Sequence, residues 1–427
     1  MYADPEQIFI PFEIKNLQLR DFPYHLPKDY FKGPVYWNFW NGDVPLGSLM
    51  IQKSVFNGEN FFMSDMKRVI AAAVHHYQVK NKAEEYSWAV DFERKDFDSF
   101  REYILKVTAW SEPLPLEREL PLSVIICTAG RPSDLSNCLE SLASMHYVPK
   151  EIVVVDNAPG NPKMKEITGL YHHVKLIEEP RRGLDIARNT GLRCASQEII
   201  TYVDDDVKVH PMWLYHVWKT YEDEKVMAGT GLVLPAEIKH FSQYLFECFW
   251  TFNRGYIDRF YTPDFLEENL SAGPPVWKIG AGANMSFRRS FLLRCGGFDE
   301  RLDAGAAGCN GDSECWFRIL KNGGKIHYNP RAVNWHYHRA DKTAYFNQIY
   351  SYMKGFTAAA LIQQRQLSDA GYKKHLFVTL PKFYKQVLTE RGEYYQLRKV
   401  TAWSEIKGIV AGTWYYMRHR KPKLLTA

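Results

Sequence analysis

Three consecutive aspartates follow a short apolar run in the stretch EIITYVDDDV, residues 198–207. Because side chains alternate in an extended segment, Asp204 and Asp206 share one face while Asp205 points to the other. Two carboxylates on one face at a strand end can hold a hard divalent cation, and that cation can bind a diphosphate. The same run is also typical of a solvated turn or of a helix cap. The local sequence leaves both interpretations open.

Polar side chains also follow three other apolar runs. Thr128 ends LSVIICT and Arg131 follows it, Asp156 closes EIVVVD (151–156), and Arg181 and Arg182 follow HVKLIEE (173–179). A carboxylate can accept a hydrogen bond from a base or a ribose, and arginine can neutralise phosphate. Each residue alone is typical of a loop, but their convergence at one edge of a sheet favours a ligand site.

Helix-like segments separate these runs. PSDLSNCLESLASM (132–145) and LDIARNTGLRCA (184–195) carry apolar residues at helical spacing. Continuous apolar strands that alternate with helices indicate a mostly parallel sheet with helices on both faces. The sequence therefore predicts an α/β, Rossmann-like domain that binds ligands at the carboxyl ends of its strands.

Regions with a different pattern of apolar residues flank this domain. Residues 1–118 predict a β-rich N-terminal accessory module, with a type I′ hairpin turn at Asn41-Gly42, a helical patch over 65–79 and a proline-rich linker over 111–121. Residues 119–340 form the predicted α/β domain. Beyond 341, two long helix-like stretches predict a helical C-terminal extension.

The composition limits the classes of function and location. The chain has 427 residues, and its net charge of +5 is too small to indicate a nucleic-acid partner. Seven cysteines without a CxxC pair predict neither a disulfide framework nor a zinc site. No signal-like N-terminus or run of about 18 apolar residues occurs, so we expect a cytoplasmic protein.

Two common phosphate-binding signatures are missing after the first apolar strand. The segment CTAGRPSDL (127–135) has one glycine where the dinucleotide fingerprint needs G-x-G-x-x-G, and the chain has no P-loop lysine. Hydride transfer and Walker-type phosphate chemistry are therefore disfavoured.

Seven ordered motifs, spread over about residues 120–340, resemble those of family 2 glycosyltransferases. They are LSVIICTAGRPSDLSNCLESL, EIVVVDNAPGN, RRGLDIARNTGL, IITYVDDDV, GAGANMSFRR, GGFDERL and GDSECWFRIL. The resemblance implies a GT-A fold. It also implies transfer of a sugar from a nucleotide-diphosphate donor to an acceptor hydroxyl, with inversion at the anomeric carbon.

The resemblance also implies roles for individual residues. Asp204 and Asp206 would be the metal-binding D-x-D pair for Mn²⁺ or Mg²⁺, with Asp206 the more direct ligand. The residues implied to bind the nucleotide sugar are Thr128, Arg131, Asp156, Arg188, Asp204, Gly282 and Asn284.

Asp312 matches the catalytic base of the family. An acceptor hydroxyl is a poor nucleophile, and a carboxylate within hydrogen-bond reach can take its proton. The alternative is that Asp312 caps the helix SECWFRIL, and both roles can coexist. The family often has Glu before this Asp, where this chain has Gly311. Glu314 is a weaker second carboxylate candidate.

His336 and His338, in NWHYHRAD, share a face if this segment is extended. Relatives often complete the metal site with a histidine in this region, and imidazole suits Mn²⁺. The sequence does not choose between the two, and a structural role for either stays open.

The chain end is basic, with nine Lys and Arg against three Asp and Glu over residues 385–427. Next to the aromatic run TWYYM, this charge suits peripheral membrane contact, although a solvated helix end explains it equally well.

The overall prediction is a metal-dependent glycosyltransferase of bacterial-type polysaccharide or glycoconjugate synthesis, acting on a carbohydrate or glycolipid acceptor. The alternatives are a metal-dependent nucleotidyltransferase and an inactive carbohydrate-binding or scaffold protein.

Overall fold

The computed structural model describes residues 9–23, 33–52, 59–84, 87–109 and 117–425. Most of the predicted proline-rich linker, residues 111–116, lies outside these ranges. Residues from both sides of this gap are nevertheless in contact, as the hydrogen bonds between Asp258 and His76 and between Asp258 and Lys80 demonstrate.

The N-terminal region combines a three-stranded sheet with helices. Its elements are β1 (Glu13–Gln18), β2 (Val35–Asn41), β3 (Val44–Ile51), α1 (Glu59–Lys80), α2 (Trp88–Arg94) and α3 (Phe97–Thr108). β2 and β3 form the predicted hairpin, but Asn41 pairs with Val44, so the central turn residues are Gly42 and Asp43. Only Gly42 of these two has positive φ, which contradicts a type I′ turn and fits type II′. Among the described residues of this region, those in helices outnumber those in strands, so the description as β-rich covers only part of it.

The central region contains strands and helices in alternation, as predicted. Its strands are β4 (Glu119–Thr128), β5 (Val148–Asp156), β6 (Val174–Glu178), β7 (Ile199–Asp204), β8 (Val207–Val209), β9 (Val226–Pro235), β10 (Arg259–Tyr261), β11 (Asn284–Arg288) and β12 (Lys325–His336). Its helices are α4 (Pro132–Ala143), α5 (Pro162–Gly169), α6 (Leu184–Cys194), α7 (Trp213–Lys219), α8 (Phe241–Phe249), α9 (Asp264–Glu268), α10 (Arg289–Arg294) and α11 (Gly311–Lys321).

Nine strands form one sheet in the order β10-β12-β9-β11-β7-β4-β5-β6, with β8 paired to β12. β7, β4, β5 and β6 are parallel, whereas β11 runs antiparallel between β7 and β9. Buried apolar clusters lie on both faces of the sheet, one beneath α4 and α7 and the other beneath α6 and α11. The predicted α/β class, with a large sheet between helices, is confirmed.

The C-terminal region is helical. It contains α12 (Lys342–Gln366), α13 (Tyr372–Lys374), one π-helical turn (His375–Thr379), α14 (Leu380–Thr389) and α15 (Glu393–Arg418). α15 packs closely on α12, because Gly408 and Gly412 face the backbone of α12 where a Cβ would lie 2.6 Å from Tyr350 O and 2.3 Å from Lys354 O. Within the described residues, no helix has both the length and the apolar character needed to cross a membrane.

Candidate active site

A large cavity adjoins the ends of the parallel strands and reaches the C-terminal helices. Its volume is about 950 Å³, at the upper end of the roughly 300–1,000 Å³ that small-molecule sites occupy. Thr128 and Asp204, at the ends of β4 and β7, line it together with His336 at the end of β12. The cavity thus gathers predicted site residues that are far apart in sequence.

Asp204, Asp206 and His336 form a group that can hold a metal ion. One ligand atom from each lies within 4.8 Å of the others, and His336 Nε2 is 3.2 Å from Asp206 Oδ1. The pairing of Val207 in β8 with His336 in β12 brings the imidazole next to the carboxylates. Two carboxylate oxygens and one imidazole nitrogen fit Mn²⁺ well, and they fit Mg²⁺ less well because Mg²⁺ prefers oxygen.

Charges within this group shift its pKa values in different directions. Burial raises the pKa of Asp204, and the charge of Asp206 raises it further. Burial also raises the pKa of Asp206, but His336 and Arg131 outweigh it and the net pKa is lowered. Burial lowers the pKa of His336, but Asp206 outweighs it and the net pKa is raised. A proton on His336 and a metal ion therefore compete for the same nitrogen.

Asp205 is not part of the metal-capable group, but it is buried rather than solvated. It accepts a hydrogen bond from Arg131 Nη2, while Arg131 Nη1 donates to Asp206 Oδ2 at 2.8 Å. Burial raises the pKa of Asp205 to about 7, although Arg131 opposes this shift. Asp205 stays outside the metal-capable group, as the alternation predicts, and its carboxylate fixes the guanidinium that also contacts Asp206.

The two histidines of NWHYHRAD have separate positions. His336 belongs to the metal-capable group, whereas His338 Nε2 is 2.8 Å from Glu247 Oε1 and its ring stacks on Phe246 at a centroid distance of 4.1 Å. His338 is buried, and burial lowers its pKa. The structure thus places His336, and not His338, in the metal-capable group, and His338 Nδ1 contacts His336 Nδ1 at 3.2 Å.

Asp312 lies in the first turn of α11 and lines the cavity. The helix begins at Gly311, and Asn310, with φ of +73°, occupies the cap position, so the interpretation of Asp312 as the cap is wrong. Asp312 Oδ1 accepts a hydrogen bond from Ser313 N at 2.6 Å. Burial, followed by the charge of Asp303, raises the pKa of Asp312. A raised pKa makes the carboxylate a stronger proton acceptor, as a general base requires.

Gly282 allows Arg188 and Asp312 to approach the same loop. A Cβ at this glycine would lie 3.0 Å from Arg188 Nη2 and 3.4 Å from Asp312 Oδ2. Arg188 is buried, and its Nη1 donates to Asp185 Oδ1 at 2.9 Å and pairs with Asp303. The structure thus brings Arg188, Gly282 and Asp312 together at one part of the cavity.

This chain has Gly311 where family 2 glycosyltransferases often have Glu, and the structure gives a steric reason for the difference. A Cβ at Gly311 would lie 2.1 Å from Asp185 Oδ2. Asp185 comes from α6, is buried, and this oxygen accepts no hydrogen bond within the described residues. A glutamate at position 311 would therefore collide with a carboxylate that already occupies the space.

Thr128 and Asp156 end adjacent strands and pair in register. Both are buried, but Thr128 lines the cavity whereas Asp156 does not. Asp156 Oδ1 accepts a hydrogen bond from Ala158 N at 3.0 Å. Its neighbour Asn157 does line the cavity, and it accepts a hydrogen bond from Gly183 N at 2.8 Å. Contact between Asp156 and a base stays a prediction.

Two sequence candidates lie outside the cavity. Asn284 accepts a hydrogen bond from Trp213 Nε1 at 2.9 Å and donates to Ala332 O at 2.7 Å, so its amide joins elements of the core. Glu314 is buried against Arg318, with its Oε2 2.7 Å from Arg318 Nε. Both side chains are bound by structural partners, and the roles of Asn284 in nucleotide-sugar binding and of Glu314 as a second carboxylate candidate stay predictions.

Arg254 is a cavity residue that sequence reasoning missed. Its Nη1 donates to Thr251 O at 2.6 Å and its Nη2 to Trp277 O at 3.1 Å, while its buried Nε has no hydrogen-bond acceptor. No carboxylate within the described residues forms an ion pair with it, and burial lowers its pKa. A half-buried cation without a carboxylate partner is costly and suits an anionic ligand group. The segment between α8 and β10 carries no motif that would have indicated it.

The C-terminal helices also contribute to the cavity, which no motif predicted. Tyr352 and Phe356 of α12 and Phe383 of α14 line it, together with Trp250 and Trp277 from the preceding loops. Aromatic faces of this kind suit sugar rings or other flat, partly apolar groups. The cavity therefore has a charged end near the strand termini and an aromatic end near the helices.

Residues 123–294 match the family model described as glycosyl transferase family 2. The match runs from β4 to the end of α10, so it includes Asp204 and Asp206 and stops before Asp312 and His336.

The chain is also similar to individual proteins. It is 25% identical over 190 residues, 42% of this chain and 56% of the relative, to a glucosyl-dolichyl phosphate glucuronosyltransferase of Haloferax volcanii. It is 23% identical, over 51% of this chain and 43% of the relative, to a pre-mycofactocin glycosyltransferase of Mycobacterium tuberculosis. The matches thus span about half the length of these relatives. Among solved structures, the mannosyltransferase PcManGT of Pyrobaculum calidifontis, in complex with GDP-Man and Mn²⁺, covers 83% of this chain and 97% of its own, with 17% identity and a TM-score of 0.45.

Proposed function

We propose that this protein transfers a sugar from a nucleotide-diphosphate donor to an acceptor hydroxyl with inversion at the anomeric carbon, because residues 123–294 match the family model described as glycosyl transferase family 2. The observation that carries the proposal is the cavity that Asp204, Asp206, His336 and Asp312 line together. A metal-capable group and a carboxylate with a raised pKa there match the two chemical needs of the reaction, a stabilised leaving group and an activated hydroxyl.

Asp204, Asp206 and His336 would hold a divalent cation, with Mn²⁺ favoured by the imidazole nitrogen. A bound cation would stabilise the negative charge that develops on the departing diphosphate. Arg131 holds Asp205 and Asp206 in place, so we assign it to positioning these carboxylates more than to direct nucleotide contact.

Asp312 would accept the proton of the acceptor hydroxyl as the new glycosidic bond forms. Arg188 lies beside Gly282, within the electrostatic reach of Asp312, and we assign it to the donor side of the cavity with Thr128. Asp156 would reach the base only through rearrangement of the loop that its Oδ1 now fixes.

We propose that the acceptor is a carbohydrate or a glycolipid and that the reaction belongs to a bacterial-type polysaccharide or glycoconjugate synthesis. The aromatic residues at the helical end of the cavity support a ring-shaped or partly apolar acceptor. The Haloferax volcanii relative is named for a lipid-linked substrate, glucosyl-dolichyl phosphate, which is consistent with this class.

The predicted domain limits at 118/119 and 340/341 stay proposals, as do a cytoplasmic location and peripheral membrane contact through the basic chain end. The fold is consistent with the limits in so far as β4 begins at Glu119 and α12 begins at Lys342. We assign residues 1–118 an accessory role and residues 341–427 a role in completing the cavity, since α12 and α14 line it.

A donor panel tests the proposal. Purified protein is incubated with Mn²⁺ and UDP-, GDP- or dTDP-sugars, and we expect slow release of nucleoside diphosphate from at least one donor, abolished by EDTA. Release of pyrophosphate in a parallel incubation with a nucleoside triphosphate and a sugar 1-phosphate would instead favour the nucleotidyltransferase. Absence of both products, with no donor-dependent shift in melting temperature, would favour the inactive carbohydrate-binding alternative.

A further inference from the structure

An apolar groove lies between α14 and α15 on the surface of the C-terminal region. Its volume is about 840 Å³, and almost all of its lining is hydrocarbon or aromatic. The groove-lining residues are Leu376, Phe377, Pro381, Tyr384, Lys385, Leu388, Thr389, Ile406, Ile409, Val410, Thr413, Trp414 and Met417. In a folded protein, a contiguous apolar surface of this kind usually marks a site of interaction.

The walls of the groove are exposed to solvent. Val410 is 66% exposed, Trp414 51% and Met417 50%, and these three residues follow one another along one face of α15. Phe377, on the opposite wall, is 50% exposed. No segment within the described residues covers these side chains, so burying them against a partner would release apolar surface from water.

The groove is embedded in the most basic part of the chain. Residues 372–427 contain twelve Lys and Arg against three Asp and Glu, a net charge of +9, which leaves the preceding part of the chain at −4. Lys385 lines the groove, and the other exposed cations of this segment include Lys373, Lys374, Lys382, Lys407, Arg418, Arg420, Lys421 and Lys423. The Arg418 guanidinium also stacks over the Trp414 ring at 3.7 Å, which couples the cationic rim to the apolar wall.

We propose that the α14–α15 groove docks the protein on an anionic lipid bilayer. Exposed aromatic and aliphatic side chains suit the boundary between headgroups and acyl chains, and each Lys or Arg near an anionic surface contributes about 1 kcal/mol. A second copy of this chain is a poorer occupant, because two copies of a segment with a net charge of +9 would repel each other. The groove extends the contact from the basic chain end to the helical surface that precedes it.

The position of the groove relates it to the candidate active site. Tyr384 lines both the groove and the large cavity, and Leu380 and Phe383 of the same helix line the cavity. A bilayer bound at the groove would therefore lie next to the aromatic end of the cavity. This consequence rests on the proposed function: the arrangement would present a lipid-linked acceptor to Asp312.

Vesicle flotation of the full chain tests the proposal. Vesicles of phosphatidylcholine alone are compared with vesicles that also contain phosphatidylserine, at low and high salt. We expect flotation only with the anionic vesicles, weakened by salt. The double variant Val410→Ser/Trp414→Ser should bind them at least about tenfold more weakly, because two inserting side chains are lost. The matched control is Trp403→Ser, since Trp403 is 62% exposed on the same helix but does not line the groove.

Three outcomes would overturn the proposal: no flotation of the wild type, equal flotation of the double variant, or equal losses in the double variant and the Trp403 control. Dimers in size-exclusion chromatography that dissociate in the double variant would assign the groove to self-association instead. Melting temperatures show whether the variants are folded. Metal-dependent release of nucleoside diphosphate from a soluble donor, measured on the same samples, should be unchanged, so failure of membrane docking and failure of the transferase proposal are distinguishable.

Discussion

His336 Nδ1 lies 3.2 Å from His338 Nδ1, so one of the two rings must donate to the other. Glu247 accepts from His338 Nε2 at 2.8 Å, which places the proton of the neutral His338 ring on Nε2 and leaves its Nδ1 as an acceptor. His336 then donates from Nδ1, and its Nε2 faces Asp206 Oδ1 at 3.2 Å, so loss of the Nε2 proton leaves a lone pair there for a metal ion. Glu247 and His338 thereby select the His336 tautomer that can bind a metal ion.

Replacement of His338 by Ala should weaken Mn²⁺ binding without removing any ligand. We expect an affinity about 10–100-fold lower, as is typical when a hydrogen-bond partner of a metal-binding histidine is lost. Calorimetric titration of Mn²⁺ measures the change. His172→Ala is the control, because His172 is exposed and far along the chain from the cluster. Equal affinities of wild type and His338→Ala would contradict the tautomer assignment.

Variants at Asp206 and Asp312 should separate the loss of donor binding from the loss of turnover. Asp206→Ala removes a ligand of the metal-capable group, so Mn²⁺-dependent donor binding should be lost. Asp312→Asn keeps the shape of the side chain but cannot take a proton, so donor binding should persist while kcat falls about 10²–10⁴-fold. Donor-dependent thermal shifts report binding, and diphosphate release reports turnover. Asp369→Asn, at an exposed turn, should leave both unchanged. Equal losses of donor binding in the two variants would refute this division.

Much of the central fold could be predicted from the sequence. Runs of β-branched residues predicted strands that the structure places at Glu119–Thr128, Val148–Asp156 and Ile199–Asp204, and the helical spacing at 132–145 and 184–195 was confirmed. Local patterns fix these elements because each strand is buried on both faces. The antiparallel insertion of β11 between β7 and β9 depends on contacts distant in sequence, and no local pattern encodes it.

The site was less predictable than the strands. Alternation along the D-D-D run separated Asp205 from its neighbours, but it could not indicate that Arg131 would bury the Asp205 carboxylate. The choice between His336 and His338 depended on Glu247, which lies about ninety residues earlier. Arg254 belongs to an irregular segment that only the packed structure brings to the cavity.

Gly311 should tolerate no side chain. A Cβ there would lie 2.1 Å from Asp185 Oδ2, so Gly311→Ala must displace α11 or the buried Asp185 carboxylate. We expect a loss of about 1–3 kcal/mol in the free energy of unfolding, together with reduced turnover because Asp312 moves with the helix. Urea denaturation and diphosphate release measure the two effects. Gly169→Ala is the matched control, since a Cβ at Gly169 has no atom within 4 Å. Similar behaviour of both variants would contradict the steric argument.

Glu179 should make stability sensitive to acid. Hydrogen bonds from Arg181, helped by Thr190 and opposed by burial, lower the pKa of Glu179 from its usual 4.5 to about 2. A carboxyl group whose pKa is lower in the folded state stabilises the protein above pH 4.5, and this contribution is lost as the pH falls from 4.5 to 2. Glu179→Gln should therefore be less stable than wild type at pH 6, with the gap closing toward pH 2. Melting temperatures across this range test the sign, and a constant gap would contradict it.

Asp258 should link the N-terminal region to the large sheet. Its carboxylate accepts hydrogen bonds at 2.8 Å from His76 and Lys80 of α1 and from His327 of β12. Burial raises the pKa of Asp258, but His327 and His76 outweigh it, and the net pKa is lowered. Asp258→Asn leaves cationic partners without a buried carboxylate, so we expect a loss of about 3–5 kcal/mol in the free energy of unfolding. Urea denaturation measures the loss. Asp264→Asn, at an exposed position nearby in sequence, should change it little, and an unchanged Asp258→Asn transition would show that the two regions are held together by apolar packing alone.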